Sequence, residues 1–596
     1  MFVFYFFIFI HYAVFCIFSQ ETVKNDRFII NADIFEGYNI NEEENILRPY
    51  EKFSGNVKIN SEQFSITSNF AKRETNDNDE VFSIYENVEI KKNSENLKIN
   101  AGVVDFYTNK NLIYIKNNVN CQNDNIFFHT DKCKYDVNKN VLEYKEGGYF
   151  IKDKNKKDKK IIINSKLGYC NLNDNSVSLS EDIEIKNNDF TITCDKVNYT
   201  AKDNEIKCSE NFKININNRK GEYITTKKDC IYNTKEEKAY VSEGVYHSKN
   251  QLIYGKNLIF DQKNNLIIVD NGIELLMRNK MRFTCKKCVY NLKNRHGDLH
   301  GDTVIYKDDS SEKNYLYLYA DHFTFDIVDN IDTSLDYTED ELDKFSFDQF
   351  EKEEIVNKSS TSQKGNNQRK KNKRGISTSK NNKNETIHFI IKGVDDVCVC
   401  TDNFQCRSNE IHFYENIIYF PKDTLIWNDK NLMFGKNIKL RLSDNNIEKI
   451  TINSEPFILM VDDLNFYNQV SGEKMIANIE NNIIDKALFL NNVDTYYYLL
   501  SENKLTGVNR LKCSKFCAIF DDKNKLSKIF FDNQISGNFF FPDYIEKNKQ
   551  KLVLDRFIEK SEFIKNTKQP DLKEIINRIN KTSFIDKEDR EHLFKE

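Results

Sequence analysis

Fourteen cysteines and nine histidines are the side chains of this 596-residue chain with the widest chemical reach, and spacing decides what they can do. A structural zinc site needs two ligand pairs that can close a tetrahedron. Cys285-x-x-Cys288 has no second CxxC and no His pair at ligand distance, and Cys398-x-Cys400 and Cys513-x-x-x-Cys517 are equally solitary. Cys133, Cys194, Cys208 and Cys230 fall in alternating stretches beside Ile, Phe and Tyr, the setting of a thiol used as a small hydrophobe. No histidine belongs to an HExxH or pairs with a nucleophile, and no GxSxG or Walker sequence occurs. The acidic residues sit mostly at turns or on wet strand faces. The sequence therefore predicts a protein that is not an enzyme, with no cofactor, no catalytic residues and no metal site.

The composition suits a solvated protein with half-buried strands: 39% of residues are hydrophobic and 30% charged. A net charge of −5, from 87 basic and 92 acidic residues, sets up no field for a polyanion, so no nucleic-acid partner is expected. Residues 1–19, MFVFYFFIFIHYAVFCIFS, carry no charge and are almost continuously apolar. They read as a secretory signal peptide lacking a basic n-region, with an uncleaved anchor helix as the alternative. In an exported chain disulfides are permitted, and the redox state of the cysteines stays open.

What must position any binding surface is a repeat with a beat of roughly 30 residues. From Asp182, DIEIKNNDFTITCDKVNYTAKDNEIKCSENFKI alternates apolar and polar residues with the period of a strand. Asn187-Asn188-Asp189 and Lys202-Asp203-Asn204 read as hairpin turns. An Asn, Asp or Gly before an apolar alternation recurs at Asn56-Val57, Asn87-Val88, Asn118-Val119, Asp182-Ile183, Asn211-Phe212, Gly244-Val245 and Gly272-Ile273 and reads as a strand start. Aromatics mark strand ends on the same beat, at Phe106, Tyr135, Tyr169, Tyr199, Tyr232, Phe260, Tyr290 and Phe325. Two strands per unit follow, and successive units must stack to bury their apolar faces.

The pattern divides the chain. Repeats span residues 28–330. Residues 335–386 lose the periodicity and read as a disordered polar linker, whose basic cluster at Arg369, Lys370, Lys371, Lys373 and Arg374 is a solvated insertion. A second β module covers 388–541, and residues 543–596 turn helical, with Leu572, Ile575, Ile576 and Ile579 at three- and four-residue spacing.

The strand start Gly55-Asn56-Val57-Lys58-Ile59 and the strand end Cys194-Asp195-Lys196-Val197-Asn198-Tyr199 resemble the OstA-like family. That family includes the periplasmic lipopolysaccharide-transport bridge LptA and the N-terminal periplasmic domain of the outer-membrane protein LptD. The downstream segments GKNIKLRLSDNNIEKI, Phe466 to Gly472, Leu505 to Arg510 and Lys525 to Ile529 resemble its longer members in Bacteroidetes. In most copies here Asn replaces the family's glycine, as in Glu86-Asn87-Val88. The resemblance implies an all-β fold of elongated β-jellyroll modules with a short helical C-terminal tail. It also implies a periplasmic scaffold for lipopolysaccharide transport and outer-membrane assembly, sheltering acyl chains in a trough. Its partners would be lipopolysaccharide or a related lipid, outer-membrane or other Lpt-type proteins added at a strand edge, and further copies of itself. The candidate trough residues are Val57, Ile59, Phe64, Ile66, Val88, Ile90, Leu97 and Ile99, with a simple packed core as the other reading of each. A surface adhesin and a β-helix polysaccharide lyase are the competing functions; both predict coils of three short strands every roughly 20 to 25 residues.

Overall fold

The structure, a computed structural model, describes residues 29–328 and 388–593 apart from short intervening segments. The expected signal peptide, the linker at 335–386 and the turn at 202–204 lie outside the described residues. The chain divides into two compact units. One comprises the residues up to Arg278 together with Phe584–Glu596; the other comprises Asn279–Ser583. Both are antiparallel β structures, as the period of two requires.

In the first unit the strands Leu47–Asn60, Phe64–Asn76, Asp79–Lys92, Lys98–Tyr107, Leu112–Gln122 and Ile126–Asp136 each pair with the next in sequence. The ladder continues to Leu266–Met277. Asn187 makes the expected turn, its Oδ1 accepting from the backbone N–H of Asp189 and Phe190 at 2.8 and 2.7 Å.

One expectation is corrected. Asn211 precedes the strand Phe212–Ile216 as expected, but the other Asn and Asp markers do not begin a strand. Asn56, Asn87, Asn118 and Asp182 stand in the middle of theirs, where the pairing register shifts. Each marker is a left-handed residue, with φ of 43° at Asn56, 55° at Asn87, 60° at Asn118 and 50° at Asn211, often following a second at Glu86, Asn117, Glu181 or Glu210. Two such residues in succession swing the strand into a new direction, so one strand serves two half-sheets. Asn is tolerated where the family has glycine because its short polar side chain carries the smallest penalty after glycine in this region. In Leu112–Gln122 the inward side chains Ile113, Ile115, Val119 and Cys121 are buried, while Asn117 and Asn118 at the bend are exposed.

A polar clamp holds each bend. The Asp195 carboxylate accepts from Asn211 Nδ2 at 2.5 Å and Lys196 Nζ lies 2.6 Å from Glu210. Donating this hydrogen bond to the Glu210 carboxylate lifts the Lys196 pKa above its ordinary value. Lys166 with Glu181 at 2.7 Å and Lys286 with Asp302 at 2.6 Å repeat the pattern. Gly55, at φ 75°, is required for a different reason: a Cβ there would lie 2.6 Å from the Asp33 carboxylate, which binds Asn56 at 2.8 Å.

In the second unit Val328 pairs with His388, so the residues flanking 329–387 are direct neighbours in one sheet. The unit ends in three helices, α1 (Pro542–Asn548), α2 (Asp555–Asn566) and α3 (Leu572–Ile579). They cover the outer face of one half-sheet. Phe557 and Phe563 of α2 set their rings 5.8 and 5.9 Å from Phe457 and Phe434. Ile575 of α3 packs on Val304, Tyr306, Tyr317 and Cys400. Leu552 and Leu554 are buried ahead of α2 rather than within it, and Ile558 is exposed. The buried Gln469 amide fastens this segment: it accepts from Leu554 N–H at 3.0 Å and donates to Leu552 C=O at 3.3 Å. In the first unit Ile585 and Leu593 likewise cap Val245, Leu252, Tyr254 and Leu276. There the fully buried Glu274 meets Arg590 at 3.2 Å and Ile585 N–H at 3.0 Å.

The described cysteines are all free thiols, and all but Cys285 are buried. Burial pushes Cys121, Cys133 and Cys288 up to about 12, so at neutral pH they pack as small hydrophobes and do not act as nucleophiles.

Three outcomes test this account. Asn87→Val should cost about 1–2 kcal/mol of stability in chemical denaturation, whereas Asn87→Gly should leave it nearly unchanged. Gln469→Leu strands a buried N–H and C=O and should cost about 1–3 kcal/mol. Peptide mapping after maleimide treatment should find Cys121, Cys133 and Cys288 unmodified in the native protein and modified in guanidinium; native labelling would show an open core.

Candidate functional site

The bends create a site by bringing two apolar rows face to face. In the first unit one row runs through successive register partners Ile59, Ile66, Ile90, Ile99, Cys121 and Phe128, and continues strand by strand to Leu275. On the far side of the bend, Phe53, Ala71, Ile84, Val104, Ile115 and Cys133 form the second. Side chains from the two rows meet. Tyr144 of the second row lies 5.7 Å from the Phe128 ring and 6.1 Å from that of Phe150, both in the first. Its hydroxyl shares a hydrogen bond of 2.5 Å with the buried Ser165. Gly168 makes room for the Tyr144 ring, because a Cβ at Gly168 would fall 2.1 Å from it. In the second unit Phe283 and Phe325 face each other at 5.9 Å in the same way.

Of the residues singled out from the sequence, Ile59, Ile66, Ile90 and Ile99 are brought together in the first row, and Val57 and Val88 stand two residues along on the same face, opposite Ser68 and Ala101; all six are between 1% and 5% exposed. Phe64 begins the strand Phe64–Asn76, paired with Lys92. Leu97 lies outside the described residues. The opposite wall, Ala71, Ile84, Val104 and Ile115, was missed, because the marker was taken to start the strand and the half before it went unread. The signal was present: in Ile113-x-Ile115-x-Asn117-x-Val119-x-Cys121 a polar residue interrupts the apolar alternation at the inward position, and that interruption is the bend.

The chemistry of the rows is mainly apolar contact, with the Tyr144 and Tyr246 hydroxyls hydrogen-bonded to Ser165 and Glu222. Among the described residues the first unit ends on the strands Ile29–Asn31 and Ile34–Asn41, which both pair with Leu47–Asn60 and expose Ile29, Ile34 and Phe35 at 61%, 55% and 61%. The second unit ends on Leu526–Asp532 and Ser536–Phe540, both against Lys504–Phe520, with Ile535, Phe539 and Phe541 exposed. A polar cavity of about 1000 Å³, lined by Lys72, Glu74, Tyr85, Asp105, Tyr107 and Lys110 among others, opens in the first unit. The Lys72 ammonium is paired with Glu74 at 2.8 Å, and Asp105 with Lys116 at 2.9 Å. Lys72 and Asp105 neighbour the inward Ala71 and Val104 in their strands and so point to the opposite face of the half-sheet, away from the apolar rows.

Comparison with known proteins bears on the first unit. No curated protein matches the chain. Among solved structures, similarity is found to LptH of Pseudomonas aeruginosa, described as the LptA-homologous periplasmic component of the lipopolysaccharide transport device. The identity is 13% and the TM-score 0.16, and the match covers 20% of this chain and 80% of that one. A family model, described as OstA-like protein, matches residues 29–195. That span holds the first bent strands, the Lys166–Glu181 clamp and the beginning of the two-row interior, and the stretch of the chain from 29 to 195 is an OstA-like region.

Proposed function

We propose that the chain is a periplasmic scaffold for lipopolysaccharide transport and outer-membrane assembly, and that it is not an enzyme. The observation that carries this reading is the pair of apolar rows meeting along a line of polar bends, in the region that matches the OstA-like model. An acyl chain lying between the rows replaces side-chain contacts with its own. The gain of about 0.8 kcal/mol per buried CH2 is spread over many equivalent strands, so a lipid is retained without being fixed at one place. The bends are made of Asn, Asp, Gly and Glu in left-handed conformation and line the trough with polar groups at its fold. The rows contain no interrupting charge to hold a headgroup, which stays in water.

The exposed apolar side chains on the terminal strands favour entry and exit at the edges. Unpaired strand edges also offer backbone N–H and C=O groups to another β protein of the outer membrane or to a second copy. The uncharged N-terminal segment supports export of the chain to the periplasm.

A photo-crosslinking amino acid placed at Ile66 or at Ile99 in cells should capture lipopolysaccharide, and one at Lys91, which is exposed on the neighbouring strand, should not. A folded protein that captures no lipid at either inward position would overturn the trough reading.

A further inference from the structure

On the outer face of the second unit, the adjacent strands His296–Lys307 and Tyr317–Val328 gather three of the chain's nine histidines with two carboxylates. His296 stands opposite Asp326 and His300 opposite His322, with Asp298 between the two histidines of its own strand. Alternation points residues 296, 298 and 300 to one side of the sheet. Ligand atoms from Asp298, His300 and His322 all lie within 4.8 Å of one another. The His300 and His322 rings stack at 4.3 Å and 11°, and His322 Nε2 is 3.2 Å from Asp298 Oδ1. His296 stands beside Asp298, outside that set of mutually close atoms. Its Nδ1 is 2.7 Å from Asp326 Oδ1, and a proton donated there fixes the tautomer that leaves the Nε2 lone pair free, 3.8 Å from Asp298 Oδ2. A carboxylate behind an imidazole in this way is the arrangement that orients histidine ligands in metal sites.

We infer that Asp298, His300 and His322 form a cross-strand site for a borderline divalent cation of the Zn2+ class, with His296 beside Asp298 at its margin. Two imidazole nitrogens and one carboxylate oxygen match that ion's preference and leave a position for water, and hard ions such as Mg2+ and Ca2+ prefer an all-oxygen set. The three ligands come from two strands and are joined only by the pairing register, so they form no helix motif or CxxC pair that a sequence would display. Bound metal would cross-link the last two strands before residues 329–387.

Equilibrium dialysis of the full chain against micromolar Zn2+ should find one ion that the double variant His300→Ala, His322→Ala binds at least tenfold more weakly. His129→Ala, in the other unit and hydrogen-bonded to Asn120, should bind as the parent does. Equal zinc binding by parent and double variant, or none by the parent, overturns the site. If circular dichroism shows the variant unfolded, diethyl pyrocarbonate footprinting of the parent decides. Zn2+ should slow modification of His300 and His322 and not that of His388, and equal rates with and without Zn2+ overturn the site. Neither readout depends on whether the trough carries lipid.

Discussion

The left-handed pair in the middle of a strand is the constraint on which the rest of this molecule depends. A straight antiparallel ladder with one apolar face would leave that face in water. Swinging each strand at Gly55-Asn56, Glu86-Asn87, Asn117-Asn118 and Glu181-Asp182 lets the same strand supply both walls of a core, with each wall burying the other. The conformation is unfavourable for Glu and tolerable for Asn. The compensation is local: Asp195 and Lys196 on one strand hold Asn211 and Glu210 at the next bend. There the Asp195-Lys196 and Glu210-Asn211 dipeptides are two halves of one contact. The individual ion pairs are exposed and each is worth little; their effect is to select the geometry at the bend.

Much of this was legible in the sequence. Period-two alternation announced antiparallel strands, the Asn187 turn formed as its side-chain chemistry requires, and buried thiols took the places that alternation assigned to them. The aromatic marks near strand ends also stand, with Tyr135, Tyr199, Phe260, Tyr290 and Phe325 buried and Tyr169 exposed. What was misread is instructive. A polar residue at an inward position was taken for the edge of a strand, because hairpin turns and strand corners draw on the same Asn, Gly and Asp; only the continuing backbone ladder separates them.

Coverage is legible too. The spacing of the tail predicts helix without saying where it packs, yet the strands name its partner. Leu252-Ile253-Tyr254, Leu275-Leu276-Met277, Val304-Ile305-Tyr306 and Leu432-Met433-Phe434 break the alternation with consecutive apolar residues, the mark of a strand buried on both faces. Earlier strands, such as Asp79–Lys92 with Glu89 and Lys91 on the outside, keep the alternation and, among the described residues, have no such cover. The outward residues thus record which strands wait for the tail. The histidine cluster was invisible for a related reason, since its members are joined only by register.

The order in which these parts are made differs from the order in which they are needed. Nearly every strand pairs with its neighbours in sequence, so the ladder can extend as the chain emerges, one short loop at a time. The cover cannot. Glu274 waits for Arg590, 316 residues later, and until then a carboxylate destined for full burial and the apolar outer face around Leu252 and Leu276 stand open. A chain that grows by local steps but is closed by residues hundreds of positions later passes through a long interval of exposed apolar surface, and in that interval it is prone to aggregate.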